Sequence, residues 1–299
     1  MKNYVPVVIC LVIFFLFSQA SLAQIEEDTT RYRIETTDGN EYIGIITYQD
    51  QEITRLQTEN IGEITIYNRN IVRQTLVDQS RVVSGRYWFD NPQATRYFFM
   101  PNGYGLKRGE GYYQNVWILF NQVAVGVTDN ISIGAGMVPL FLFAGAPTPF
   151  WLTPKFSFPA ISDKLNFGAG ALIGTVVGAG QAGFGVLYGI TTFGSVDENL
   201  SLGLGWGFGG GEVASTPTIS LSGMLRTGTR GYILTENYYI HAGSENFALV
   251  SFGGRRLIGK VGVDYGALIP FSRDIRSFIV IPWLGLTVPF GHTRGSQRR

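Results

Sequence analysis

The 299-residue sequence predicts an all-β protein, an antiparallel transmembrane β-barrel of about 12 strands (range roughly 10–14) preceded by a small β domain. Three observations carry that expectation. Large apolar residues alternate with Gly or polar residues along much of the C-terminal part, a period of two that a helix cannot satisfy on one face. Charged residues are only 15% of the chain, against about 25% in ordinary soluble domains, while Gly and aromatic residues are abundant. Turn signals leave runs of about 10 residues between them, long enough for a tilted strand to cross a bilayer, whereas soluble sandwiches use strands of about 5–6.

The first residues read as an export signal over 1–23. Lys2 supplies the positive start, residues 7–17 the apolar run, and Ser21-Leu22-Ala23 the small-residue cleavage motif before Gln24. The run is shorter than the ~20 residues a spanning helix needs. Cys10, the only cysteine, falls inside this signal, so the mature chain is expected to carry neither disulfides nor a cysteine-linked lipid. With 23 Lys and Arg against 22 Asp and Glu the chain is close to neutral, so no basic face for nucleic acid is implied.

A small all-β domain is expected over residues 29–80. Strand-like runs at 32–37, 41–48, 52–58 and 63–67 are separated by Asp38-Gly39-Asn40, Gln49-Asp50-Gln51 and Asn60-Ile61-Gly62, and a short helical turn is expected over 68–72. Asp-Gly provides the positive φ angles of a tight hairpin. Five short, bent strands in this rhythm are similar to SH3-like or Sm-like small barrels, which implies a ligand-binding module or a folded spacer that docks a partner. Residues 81–94 read as a linker.

The barrel itself is expected over residues 95–290, with a polar tail over 291–299. Residues 200–209 run LSLGLGWGFG, residues 165–171 LNFGAGA and residues 259–269 GKVGVDYGALI, with the same two-residue alternation. Alternation alone does not say which face meets solvent. Turns are expected at Asp129-Asn130, 162–164, 197–199 and 228–230, with further connections at 101–111, 145–149, 178–182, 209–216, 241–246 and 271–277. An even number of strands places both barrel ends on the periplasmic side. Tyr112, Tyr113, Trp117, Phe150, Trp151, Phe193, Tyr238, Tyr239, Phe271, Phe278 and Trp283 are candidates for two interfacial aromatic girdles. Residues 165–193 are apolar enough for membrane helices, but their glycines and two-residue rhythm favour strands.

Several runs carry a family likeness: NPQATRY at 91–97, YGLKRGEGYYQN at 104–115, GVTDN at 126–130, LTENY at 234–238 and PWLGLTVPFG at 282–291. In these the chain resembles uncharacterised exported outer-membrane β-barrel-type proteins of Bacteroidota. The resemblance implies an outer-membrane barrel and brings no activity or catalytic residues with it. Many such barrels end on an aromatic residue read by the assembly machinery, whereas here Phe290 is followed by residues 291–299.

Signals for chemistry are sparse. Gly178, Gly180 and Gly183 match the spacing of a dinucleotide loop, but the residues that follow are strand-like, and that loop works only when it opens a helix. Two histidines and no mature cysteine exclude the usual Cys/His metal clusters. His241, Ser244 and Asn246 distantly match the Ser-His-Asn set of outer-membrane phospholipases, and His292 belongs to the tail. Arg226, Glu236, Arg255, Arg256, Lys260 and Asp264 are the candidate lumen-lining polar residues, because charge at membrane depth must face water or a partner. They would form either an internal salt-bridge plug or a pore lining. The expectation is therefore a non-enzymatic barrel of the cell outer membrane, without cofactor or metal, with its N-terminal domain in the periplasm. Its partners would be outer-membrane lipid, the barrel assembly machinery and a periplasmic protein held by that domain, not nucleic acid. A passive channel for small solutes leads, a closed structural or docking barrel follows, and a lipid hydrolase is remote.

Overall fold

A computed structural model describes residues 30–59, 61–77, 82–83, 86–179, 183–242, 245–273, 275 and 277–291. The expected signal over 1–23, Ser244 and His292 lie outside the described residues. The chain divides between Gln79 and Ser80 into two compact units.

The first unit is an antiparallel sheet of five strands, β1 (Arg31–Thr36), β2 (Glu41–Gln49), β3 (Ile53–Thr58), β4 (Gly62–Tyr67) and β5 (Ile71–Leu76), with a short 3-10 turn over Asn68–Asn70. Their order is β4-β3-β2-β1-β5, so the sheet stays open between β4 and β5 rather than closing as a fully hydrogen-bonded barrel. Breaks in register within β2 and between Glu35 and Thr36 bend it. Gly39 takes a φ of 81° in the first hairpin, as Asp-Gly predicts. Bending brings Ile34, Leu56 and Ile66 together with Tyr42, Ile46, Ile64 and Ile71 into one apolar core. Along β3 the apolar or uncharged Thr54, Leu56 and Thr58 are buried, and Arg55 and Gln57 are exposed.

In the second unit β6 (Val82–Val83) and β7 (Arg86–Tyr87) form a small pair. Twelve longer strands follow: β8 (Glu110–Val116), β9 (Phe120–Gly126), β10 (Ile131–Met137), β11 (Thr148–Ile161), β12 (Leu165–Val177), β13 (Gly183–Gly194), β14 (Glu198–Gly209), β16 (Thr218–Arg226), β17 (Gly231–Ala242), β18 (Glu245–Ile258), β19 (Val261–Ser272) and β20 (Ile281–Gly291). The two-residue β15 (Glu212–Val213) merely extends the far tip of β14. Each strand pairs antiparallel with the next, and β20 returns to pair with β8 from Gly285↔Val116 to Gly291↔Glu110, which closes a 12-stranded barrel. The only described helix of this unit, Pro139–Phe143, lies between β10 and β11.

β8 begins and β20 finishes at one end, here called the near end. Connections at the near end, 127–130, 162–164, 195–197, 227–230 and 259–260, are two to four residues long. Those at the far end reach ten residues, at 138–147. The far-end turn at 117–119 carries no turn signal in the sequence. Trp117 and Ile118 take φ of 51° and 67° without glycine, and side chains hold them there: Asn115 Oδ1 accepts the Ile118 N–H, and Asn121 Nδ2 donates to the Leu119 carbonyl.

The side-chain faces of the barrel are the reverse of those of the first unit. On β14, Leu200, Leu202, Leu204 and Trp206 point outward and are 40–50% exposed, while Asn199, Ser201, Gly203 and Gly205 point inward and are buried. Ile131 and Ile133 on β10, Phe156 and Phe158 on β11, and Leu284 and Leu286 on β20 are likewise exposed. Residues 165–193, which also suited a helix, form β12, a turn and β13. Of the girdle candidates, Phe193, Tyr239, Phe271 and Phe278 are exposed. Tyr112, Trp151, Tyr238 and Trp283 are corrections. Their register positions face the lumen, where Trp151 bonds Gln122, Tyr238 bonds Glu236 and Trp283 packs on Phe98.

Candidate functional site in the barrel lumen

Sequence alone placed the start of the barrel at 95. Residues 88–109 instead run inside it as a hairpin that enters from the near end. The Phe89 N–H meets the Thr229 carbonyl of a near-end turn, Arg96 and Pro101 form a β-bridge, and the Tyr97 N–H donates to the Met100 carbonyl, which puts Phe98 and Phe99 at the tip. Gln93, Tyr97, Phe98 and Asn102 are fully buried. A segment without its own sheet must find hydrogen-bond partners elsewhere, and the strands supply them.

Arg255 on β18 makes the largest set. Its Nε and Nη2 donate to Asp264 Oδ1 and Oδ2 on β19 at 2.6 and 2.9 Å, a bidentate pair. Nη1 donates to the Gln93 carbonyl at 2.9 Å and to Asn91 Oδ1 at 3.1 Å, and Nη2 to the Tyr97 carbonyl at 2.7 Å. Every N–H of the guanidinium is thereby used. Glu236 on β17 holds the tip from the other polarity. Its Oε2 accepts the backbone N–H groups of Phe99 and Met100, each at 2.9 Å, and its Oε1 accepts the Tyr238 hydroxyl at 2.7 Å. Arg226 on β16 closes the entrance, donating to Asp197 Oδ2 at 2.9 Å and to the carbonyls of Phe89 and Thr229 at 2.8 Å, with Trp88 stacked at 4.6 Å.

Other walls add neutral contacts. The Tyr97 hydroxyl lies 2.6 Å from Asn199 Oδ1 and 2.7 Å from Ser201 Oγ, both on β14. Thr192 Oγ1 on β13 accepts the Gly103 N–H at 2.7 Å, and a Cβ on Gly103 would sit 2.6 Å from the Asn166 carbonyl oxygen, so only glycine fits there. Thr287 on β20 donates to Gln93 Oε1 at 2.8 Å. Phe98 packs on Trp283 with ring centroids 5.4 Å apart, within an apolar cluster that includes Val116, Met224, Leu234 and Leu257. Around the hairpin the lumen is filled. Beyond its tip the inward-facing Leu172, Val186, Tyr188, Tyr238 and Leu249 are only half-buried, so the far half of the lumen is filled less tightly.

Four of the six charged residues expected in the lumen, Arg226, Glu236, Arg255 and Asp264, do meet there. Arg256 and Lys260 do not. Arg256 follows Arg255, so strand alternation turns it to the outer face, where it is exposed, and Lys260 sits with Gly259 (φ 58°) in the near-end turn between β18 and β19. Two lumen cations were missed, Lys155 on β11 and Arg96 on the hairpin. Lys155 was legible: in the run 155–158 Phe156 and Phe158 share one face, which leaves Lys155 and Ser157 on the other. Arg96 belongs to a segment with no period to read.

Gly183, the last glycine of the dinucleotide-like spacing, opens strand β13 and not a helix. His241 Nδ1 and Asn246 Oδ1 do meet, 2.7 Å apart across β17 and β18. Among the described residues no group of three or more His, Cys, Asp or Glu comes together as a metal site, and no helix is long and apolar enough to cross a membrane. Compared with protein-family models, with curated proteins and with solved structures, the chain has no match.

Proposed function

We propose that this protein is an exported outer-membrane β-barrel that is closed in its resting state and anchors its five-stranded N-terminal unit on the periplasmic side as a docking module. The observation that carries the closed state is the hairpin, gripped by Arg255, Glu236 and Arg226 from three strands. The membrane reading is supported by an apolar outer face over a polar inner one, and by closure, since hydrocarbon tolerates no unpaired sheet edge. Near-end turns of two to four residues, against far-end connections that reach ten, match the periplasmic and outer sides of such barrels.

The test is refolding of the full chain into detergent and then into planar bilayers. Heat-modifiable migration on gels with no steady current is the expected result. A chain that stays monomeric in buffer without detergent overturns the membrane reading, and a steady current from the unmodified chain overturns the closed one. A second reading, a gated channel for small solutes, is favoured by the less tightly filled far half of the lumen. It predicts current once the hairpin is loosened, as in Glu236→Ala, and silence from that variant removes it.

A further inference from the structure

Two of the buried cations in the lumen have carboxylate partners, Arg226 with Asp197 and Arg255 with Asp264. Arg96 and Lys155 have none among the described residues. Arg96, 6% exposed, donates Nη1 to Gln114 Oε1 at 2.6 Å and lies 5.2 Å over the Tyr112 ring, and its buried Nε has no partner. Lys155, 8% exposed, donates only to carbonyl oxygens, of Tyr104 at 2.5 Å and of Thr95 at 3.4 Å. Thr95 is the neighbour of Arg96, so the two charges stand close together. Beside them Gln122, 4% exposed, accepts the Trp151 indole N–H at 3.2 Å, while its own Nε2 has no partner.

This side of the lumen therefore holds two basic side chains with no carboxylate in contact, and unused donors on Arg96 and Gln122. The carboxylate across from it, Glu236, already accepts the N–H groups of Phe99 and Met100 and the Tyr238 hydroxyl. Buried polar groups are nearly always satisfied, and buried charges paired. Lys155 pairs in register with Gly170, which the Tyr188 hydroxyl covers, and Leu172 and Val186, paired with one another, occupy the next inward positions toward the far end. The wall there combines half-buried Leu172 and Val186 with bare backbone at Gly207, where an added Cβ would meet only the Gly185 carbonyl oxygen at 3.9 Å. An apolar recess with a few convergent polar groups is the usual form of a small-molecule site.

We propose that the far half of the lumen binds a small organic anion, its carboxylate or phosphate seated against Arg96 and Gln122 and its apolar body against Leu172, Val186 and Gly207. A planar guanidinium is well suited to either oxyanion. The inference concerns the lumen and does not depend on which membrane surrounds the barrel.

The refolded full-length chain in a neutral detergent is titrated with benzoate and with phenyl phosphate, and with benzyl alcohol as the uncharged counterpart, by calorimetry and tryptophan fluorescence. Saturable binding of at least one anion is expected below about 10 mM, with benzyl alcohol weaker by about tenfold or more. Arg96→Gln should weaken anion binding by about tenfold, and Gly207→Leu, at a position where a Cβ meets no hairpin atom within 4 Å, should weaken it similarly. Heat-modifiable migration establishes that each variant is closed, and if Arg96→Gln does not close, Gly207→Leu decides alone. Absence of saturable binding, equal binding of the alcohol, or binding unchanged in every closed variant overturns the proposal.

Discussion

The two units build β-structure from the same alternation and orient it oppositely. In the N-terminal sheet Ile34, Leu56 and Ile66 are buried and Arg55 is exposed. In the barrel Leu202 and Leu204 are exposed, while Ser201, Arg255 and Asp264 are buried. Apolar burial holds the first together. Inside the second, cohesion comes mainly from hydrogen bonds and ion pairs to one hairpin, beside the smaller apolar cluster around Phe98. The comparison teaches that period two encodes a strand, and that the surroundings of the strand decide which face is the interior.

Breaking the polar core should have the largest effect. Asp264→Ala leaves the Arg255 guanidinium buried without its carboxylate and should cost about 3–5 kcal/mol in urea unfolding of the refolded barrel. The double change Arg255→Met with Asp264→Leu removes the unpaired charge but also the bonds to Asn91, Gln93 and Tyr97, so it should recover only part of that loss; full recovery would mean that Arg255 does not hold the hairpin. In the first unit the apolar core is the weak point. Leu56→Ala should cost about 2–5 kcal/mol there and leave the barrel transition in place, so a common shift of both transitions contradicts two independent units. Third is the outer face: Leu202→Arg should lower barrel stability in liposomes by about 2–4 kcal/mol if that face meets hydrocarbon near mid-depth. An unchanged midpoint argues that the face meets water.

Acid should act more gently, and on the first unit. The Asp50 carboxylate is held below its usual 3.8 chiefly by the Ile53 and Glu52 N–H groups, and Asp38 likewise by the Thr36 hydroxyl and the Asn40 N–H. The folded unit then binds fewer protons than the unfolded chain, so the stability from these turns is complete above the usual value and is lost as pH falls below it. Expressed alone as residues 24–85, the unit should melt cooperatively, with a midpoint that drops on acidification below pH 3.8. Asp50→Asn should flatten that dependence, and a profile identical to the parent's would show that the Asp50 cap contributes nothing.

Most of the strands were readable because their causes are local. Asp38-Gly39 and Asp163 mark turns with positive φ, and LSLGLGWGFG gives β14 almost residue by residue. The turn at 117–119 was not readable, since its support comes from Asn115 and Asn121 side chains rather than from glycine. The hairpin was hidden for a related reason: its partners, from Gln114 to Thr287, are distant in sequence and become visible only when the barrel closes. Of the site, Arg226, Glu236, Arg255 and Asp264 follow from charge on an alternating strand. Lys260 shares that parity yet stands beyond the strand's end, which alternation cannot report.

The seam between β8 and β20 bears on how the molecule is made. The hairpin leads directly into β8, and β20 is the last of the described strands. Thr287 of β20 also bonds Gln93 of the hairpin, so sealing the wall and gripping the finger inside it draw on the same two stretches of chain.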